Sequence, residues 1–196
     1  MNRFSVYLSL MVLLLAQCWL ATAARAATTE RPDSEMRELL RETIARASSF
    51  KDRFDAEVWL VDMSGRLAPY VKNPQERLHI LRLVHQESLR FNLKPELVLA
   101  VMNVESKFDR YAISNVGAQG LMQVMPFWKK EIGKPTDNLT DIATNIHYGC
   151  AILSAYMMRE HGNMIRALAR YNGSLGQYWY PERVMDAWQK RWFVKY

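Results

Sequence analysis

The sequence predicts an all-α domain built around one central buried helix, and three observations lead there. Apolar residues recur at helical spacing along most of the chain. The run Leu97-Val98-Leu99-Ala100-Val101-Met102 is apolar on every side, as expected of a helix enclosed by others. Glycine-bearing irregular sequence is concentrated in one segment, residues 113–125, which interrupts the helical pattern.

Taken in order, the elements have local causes. Residues 34–47 place Met36, Leu39, Leu40, Ile44 and Ala47 on one helical face. Val58-Trp59-Leu60-Val61 fits a short strand or a buried helical turn before Gly65, and the neighbouring pattern favours helix. Asn73-Pro74-Gln75-Glu76 supplies an N-cap, a proline at the first helical position and a glutamate in the first turn. A helix of about 18 residues follows, a usual length for a globular domain, with Leu78, Leu81, Val84, His85 and Leu89 expected inside. Lys94-Pro95 restarts the chain as the central helix, with Glu105 near its end. Pro126 begins a short helix ending at Gly133. Asp141 begins a longer one through Ile146, Ile152 and Tyr156 that Gly162 stops, and two more helices cover 164–172 and 181–193.

Composition sets the setting. Arg3, an apolar run over 6–20 and the ending Ala24-Arg25-Ala26 outline an export signal, residues 1–26, with cleavage near Ala26. The run is short of the ~20 residues a spanning helix needs, although it remains a possible anchor. Cys18, after Leu15-Ala16-Gln17, is an alternative lipid-attachment site that the bulky Gln17 disfavours. A periplasmic location is expected, with membrane attachment only through an uncleaved signal or a lipidated Cys18. The remaining 170 residues suit one ordinary domain: a helical extension over 27–72 and a main body over 73–196. Without the leader Cys150 stands alone, so no intramolecular disulfide forms, and its apolar helical setting makes it a small core residue rather than a nucleophile. The formal charge of +6, or +4 without the leader, suits a polyanionic polymer or an anionic membrane surface. Export and the lack of an interleaved basic and aromatic cluster argue against nucleic acid. The four histidines form no i, i+4 pair and no His-Glu-x-x-His, so no metal site and no cofactor is expected.

The most informative stretch is Glu105-Ser106-Lys107-Phe108 followed by Gly117-Ala118-Gln119-Gly120-Leu121-Met122-Gln123-Val124-Met125-Pro126. It offers one carboxylate and then a loop able to close over a ligand, with Gln123 carrying both a donor and an acceptor for sugar hydroxyls and acetamides. Together with Tyr171-Asn172-Gly173 the pattern resembles the soluble lytic transglycosylases, lysozyme-like enzymes that cut bacterial peptidoglycan, from about residue 73 to about 190. The resemblance implies a lysozyme-like fold and a single catalytic carboxylate at Glu105. That acid would protonate the oxygen between N-acetylmuramic acid and N-acetylglucosamine, then accept the proton of the C6 hydroxyl as a 1,6-anhydro ring closes. It also implies that Ser114, Gln123, Met125, Tyr171 and Asn172 bind substrate, with the Tyr171 hydroxyl bonded to Glu105 directly or through one water. Ser106 is expected to orient Glu105 or cap backbone groups.

Other readings stay open at this level. Asp109 lies four residues after Glu105 and would share its face if the helix continued, which allows a two-carboxylate hydrolase; the goose-type lysozymes are the nearest such alternative. A wall-binding protein without turnover is a second class, and a secretion-system or wall-assembly protein is a possible partner beside the glycan strands. Trp179 and Trp188 lie near the second motif and are candidate sugar platforms.

Overall fold

The computed structural model describes residues 52–194, together with Glu38 and Ser49; all belong to one compact unit, Glu35–Tyr196. The expected leader 1–26, Cys18 and, apart from Glu38, the amphipathic stretch 34–47 lie outside the described residues. The described elements are helices: α1 (Arg53–Leu67), α2 (Pro74–Arg90), α3 (Pro95–Glu105), α4 (Trp128–Ile132), α5 (Ile142–Arg159), α6 (Met164–Asn172) and α7 (Trp179–Ala187), with a π-helical turn over Trp188–Trp192. Strand pairing among the described residues is limited to two isolated bridges, Ile113 with Gln119 and Gln119 with Val124. None of the described helices is long and apolar enough to cross a membrane.

Caps fix the helix starts as the residue types require. Asp52, Asn73, Asp141 and Asn163 each accept a backbone N–H of the following turn. The segment 58–61 is helical: Trp59, Leu60, Met63 and Leu67 face inward while Val58 stays exposed. The face of α2 differs from the expected one at Leu89, which is half exposed. The buried stripe runs through Leu78, Leu81, Val84 and Ser88, and one residue later the helix has turned about 100°, which carries Leu89 to solvent. Ser88 and Glu87 occupy the interior instead.

The central helix is α3, buried from Glu96 through Met102. It packs against α2, α7 and the π-helical turn, while α5 packs on α2 and α6. The sole buried carboxylate of its first turn, Glu96, accepts the Trp59 indole N–H at 2.8 Å and so joins α1 to α3. Cys150 is fully buried, and burial drives its thiol far above the ordinary range, which leaves it inert at neutral pH.

One side chain on α5 holds the irregular segment in place. Asn145 is buried, and its amide N–H groups donate to the Gln119 carbonyl at 2.8 Å and the Leu139 carbonyl at 2.7 Å. Its carbonyl oxygen accepts the Met122 backbone N–H at 2.8 Å. The backbone of Gly120 lies so close to this amide that a Cβ there would sit 2.4 Å from Asn145 Nδ2, and its φ of +76° adds a second reason for glycine. Asn145→Ala leaves three buried backbone groups without partners, at roughly 1–3 kcal/mol each when uncompensated. We expect a loss of about 3 kcal/mol in denaturant unfolding; a loss below about 1 kcal/mol would show that the loop does not depend on this residue.

Candidate active site

Glu105 is the last residue of α3. The chain then turns sharply, because Lys107 and Phe108 adopt left-handed φ values of 52° and 65°. Non-glycine residues accept that conformation when packing compels it, and Phe108 is buried between the rings of Tyr70 and Trp192, with centroids 5.4 and 5.3 Å away. The turn has a chemical consequence. Asp109 does not continue the Glu105 face; it is exposed, and its carboxylate accepts the Tyr111 backbone N–H at 2.9 Å.

Three segments distant in the chain converge on Glu105. Ser106, at the end of α3, donates its hydroxyl to the Leu121 carbonyl at 2.8 Å and to the Met102 carbonyl at 3.3 Å, so it caps backbone groups and ties the acid to the loop. Tyr171, near the end of α6, donates to the Met122 carbonyl at 2.7 Å. Tyr180, on α7, donates to Glu105 Oε1 at 2.5 Å. The direct hydrogen bond expected from Tyr171 to Glu105 is thus made by Tyr180 instead. The reason is positional: the α6 phenol reaches the loop backbone first, whereas α7 packs directly on α3 and presents Tyr180, almost wholly buried, to the carboxyl. Tyr171 remains close enough for the Glu105 charge to help raise its phenol pKa, after burial.

The other sequence-derived residues lie in or beside this convergence. Gln123, at φ 49°, donates its side-chain amide N–H groups to the Ala112 and Gly120 carbonyls at 3.1 and 3.0 Å, so its amide nitrogen is engaged with the loop backbone. Ser114 closes a tight loop with Ala118: its backbone N–H donates to the Ala118 carbonyl and its hydroxyl accepts the Ala118 N–H. Met125 is half-buried just beyond the loop, and Asn172 is exposed before Gly173, whose φ of 79° caps α6. Upstream of this end Glu160, buried, pairs with both Arg166 and Arg170 and locks the α5–α6 corner. Trp188 is buried, while Trp179 is exposed and donates to the Gln177 side chain at 2.8 Å.

Electrostatics separates Glu105 from an ordinary surface carboxylate. Burial raises its pKa from 4.5 to about 7; the hydrogen bond from Tyr180 and the charge of Arg183 both favour the ionised form but offset only part of that. Tyr180 is itself held protonated, its pKa raised first by burial and then by the Glu105 charge. Asn145, Tyr180 and Arg183 escaped the reading of the sequence; for Tyr180 the available signal was its place at the start of the helix that follows the Tyr171-Asn172-Gly173 motif. Among the described residues no group of three His, Cys, Asp or Glu side chains is placed to hold a metal.

A helical domain that holds one desolvated glutamate against a glycine-bearing loop defines the class, and the comparisons give the family. The profile of the transglycosylase SLT domain matches residues 82–190, more than half of the chain, and the chain belongs to that family. A transglycosylase of Enterobacteria phage PRD1 is 38% identical over 105 residues, which is 50% of this chain and 38% of that protein. The membrane-bound lytic murein transglycosylase C of Yersinia enterocolitica is 33% identical over 136 residues, 61% of this chain and 37% of that protein. The chain therefore covers less than two fifths of the length of these curated relatives. Among solved structures, an inactive mutant of the lytic transglycosylase Slt from Pseudomonas aeruginosa aligns with a TM-score of 0.44 and 22% identity, over 78% of this chain and 33% of that one.

The raised pKa of Glu105 carries a stability consequence. Between pH 4.5 and about 7 the folded chain keeps a proton on Glu105 that the unfolded chain has lost, so this residue stabilises the fold least at high pH. Glu105→Gln removes the effect. Relative to that variant, the wild type is expected to lose up to about 3 kcal/mol of unfolding free energy on going from pH 4.5 to 8, an upper bound at about 1.4 kcal/mol per pH unit. Parallel stability curves for the two proteins across that range would show that Glu105 titrates as an ordinary carboxylate.

Proposed function

We propose that this chain is a peptidoglycan lytic transglycosylase acting in the periplasm, with Glu105 as its single catalytic acid and base. The observation that carries the proposal is the placement of Glu105 at the end of the buried central helix, its carboxyl held by the Tyr180 hydroxyl at 2.5 Å; burial there raises its pKa to about 7, which supports a protonated fraction at neutral pH. Membership of the SLT family supports the reaction class.

In the reaction, the Glu105 carboxyl gives its proton to the glycosidic oxygen as the bond from C1 of N-acetylmuramic acid to the O4 of N-acetylglucosamine breaks. The C6 oxygen of the same muramic acid attacks C1, and its proton passes to the Glu105 carboxylate, which restores the starting acid. No water is consumed. A nucleophile tethered in the substrate has a high effective concentration, so a second enzyme carboxylate is unnecessary. This agrees with the solvent-facing position of Asp109, which is engaged with its own turn. Tyr180 steadies the carboxyl after proton loss, because its hydroxyl donates to the anion more strongly than to the acid. Ser114, Gln123, Met125, Tyr171 and Asn172 would hold the glycan against this centre, Gln123 through its free carbonyl oxygen.

Export and cleavage near Ala26 are part of the proposal. The mature chain, expected from N-terminal sequencing to begin just after Ala26, is incubated with purified peptidoglycan and the released muropeptides are weighed by mass spectrometry. The expected products end in 1,6-anhydro-N-acetylmuramic acid. Products one water heavier would make the chain a hydrolase, and no release at all would favour a wall-binding role. Glu105→Gln should lower turnover by about 10²- to 10⁴-fold, the usual worth of general acid catalysis.

A further inference from the structure

The turn that follows Glu105 forms one wall of a cavity that Glu105 itself does not line. About 390 Å³ in volume, the cavity lies between the start of α2 and the segment 107–111. Tyr70 and Tyr111 supply its aromatic walls, and Lys72, Lys107 and Arg110 its cations. Among the described residues none of these three cations forms an ion pair. The Arg110 guanidinium stands over the Tyr111 ring, 4.9 Å from its centroid, and its Nε is buried without an acceptor there. Lys72 reaches only the Ala68 carbonyl, at 3.5 Å. Two carboxylates, Glu76 and Asp109, also line the cavity, but Asp109 already accepts the Tyr111 backbone N–H, so positive charge is in excess. Asp141, whose charge is coupled to that of Arg110, is engaged as the cap of α5, where it accepts the Thr144 N–H at 2.9 Å.

The chain leaving this cavity bares large apolar side chains. Tyr111, Ile113 and Val116 are 65%, 67% and 76% exposed. The backbone around them closes on itself: the Ser114 N–H donates to the Ala118 carbonyl, the Gly117 N–H to the Ser114 carbonyl and the Gly120 N–H to the Ala112 carbonyl, each at 2.9 Å. A loop that satisfies much of its own backbone while exposing apolar side chains loses little on leaving water. Unpaired cations beside such side chains are what a peripheral protein needs to hold an anionic lipid surface, because the charges take the headgroups while the apolar groups enter beneath them.

We propose that this cavity and loop dock the domain on an anionic phospholipid membrane. Lys72, Lys107 and Arg110 hold a headgroup phosphate in the cavity, whose volume is in the range that takes a small ligand. Tyr111, Ile113 and Val116 sit in the interface beside it. A soluble phosphate ester or a polyanionic glycan would satisfy the cations but leave Ile113 and Val116 in water; a lipid surface uses both. The docking needs neither a retained leader nor a lipidated Cys18, and it is separate from the chemistry at Glu105.

The test is co-sedimentation of the mature chain with vesicles of phosphatidylcholine alone and of phosphatidylcholine mixed equally with phosphatidylglycerol. Binding to the mixed vesicles only is expected. Lys72→Gln with Arg110→Gln should weaken it by roughly tenfold or more. Lys134→Gln with Arg159→Gln removes the same charge at exposed positions outside the cavity and should change it by less than about twofold. Ile113→Ser with Val116→Ser keeps every charge; it should also release the chain from vesicles, yet leave calorimetric binding of glycerol 1-phosphate intact. Circular dichroism checks that each variant is folded, and if the cavity pair does not fold, the Ile113 and Val116 pair decides. Equal losses from the two charge pairs would reduce the effect to net charge and overturn the proposal, as would undiminished vesicle binding after Ile113→Ser with Val116→Ser. Binding of glycerol 1-phosphate without vesicle binding would make the cavity a site for a soluble phosphate ester, and loss of peptidoglycan binding alone in the cavity pair would assign it to the wall polymer; either result overturns the membrane proposal. Cleavage to anhydro products by a chain that binds no vesicles removes this inference and leaves the glycan-cleaving reading in place.

Discussion

The site depends on holding one partly buried carboxyl group at the end of an apolar helix. Glu105 closes α3, whose preceding residues from Leu97 to Met102 are enclosed on all sides. Two effects favour the neutral acid there. Burial penalises the anion, and the C-terminal end of a helix carries partial negative charge that disfavours another negative group. The hydrogen bond from Tyr180 acts in the opposite direction and keeps the anion accessible. An acid balanced near neutrality can both release and recover a proton, which is what the proposed reaction asks of Glu105.

That balance relies on contacts made across long stretches of chain. Ser106 fastens the end of α3 to Leu121, Tyr171 fastens α6 to Met122, and Asn145 fastens α5 to Gln119, Met122 and Leu139. Each of the three uses a side chain to satisfy backbone groups of an irregular segment that has almost no ladder of its own. These side chains supply the loop with hydrogen bonds that a strand ladder would otherwise provide. The left-handed turn at Lys107 and Phe108 completes the arrangement by leading Asp109 away and leaving Glu105 without a second carboxylate beside it on its helix face.

Much of the fold was legible because its causes are local. Asn73-Pro74, Asp141 and Gly173 mark helix ends by capping chemistry that operates within four residues, and the apolar run of α3 announces its burial without reference to any partner. Glu105 was singled out by its motif, and the structure places it at the end of α3 with burial raising its pKa. Tyr180 was not, because its role arises only when α7 packs on α3 and brings together residues 75 positions apart. The motif drew attention to Tyr171, which bonds to the loop instead. Asn145 looked like any polar residue of a helix, and Leu89 like any member of an apolar stripe. Which side of α2 and α5 meets the loop or the core is a property of the assembled domain, where packing decides among faces that the sequence leaves nearly equivalent.

The account turns on the protonation of Glu105 in the folded chain. The most direct measurement is a carbon-13 NMR titration of the glutamate side-chain carboxyls, with Glu105→Gln used to assign the Glu105 signal. The account predicts a midpoint near 7 for that signal, rising further in Tyr180→Phe because the hydrogen bond that favours the anion is lost. A midpoint close to 4.5 would contradict it, since Glu105 would then be ionised at neutral pH and without a proton to give.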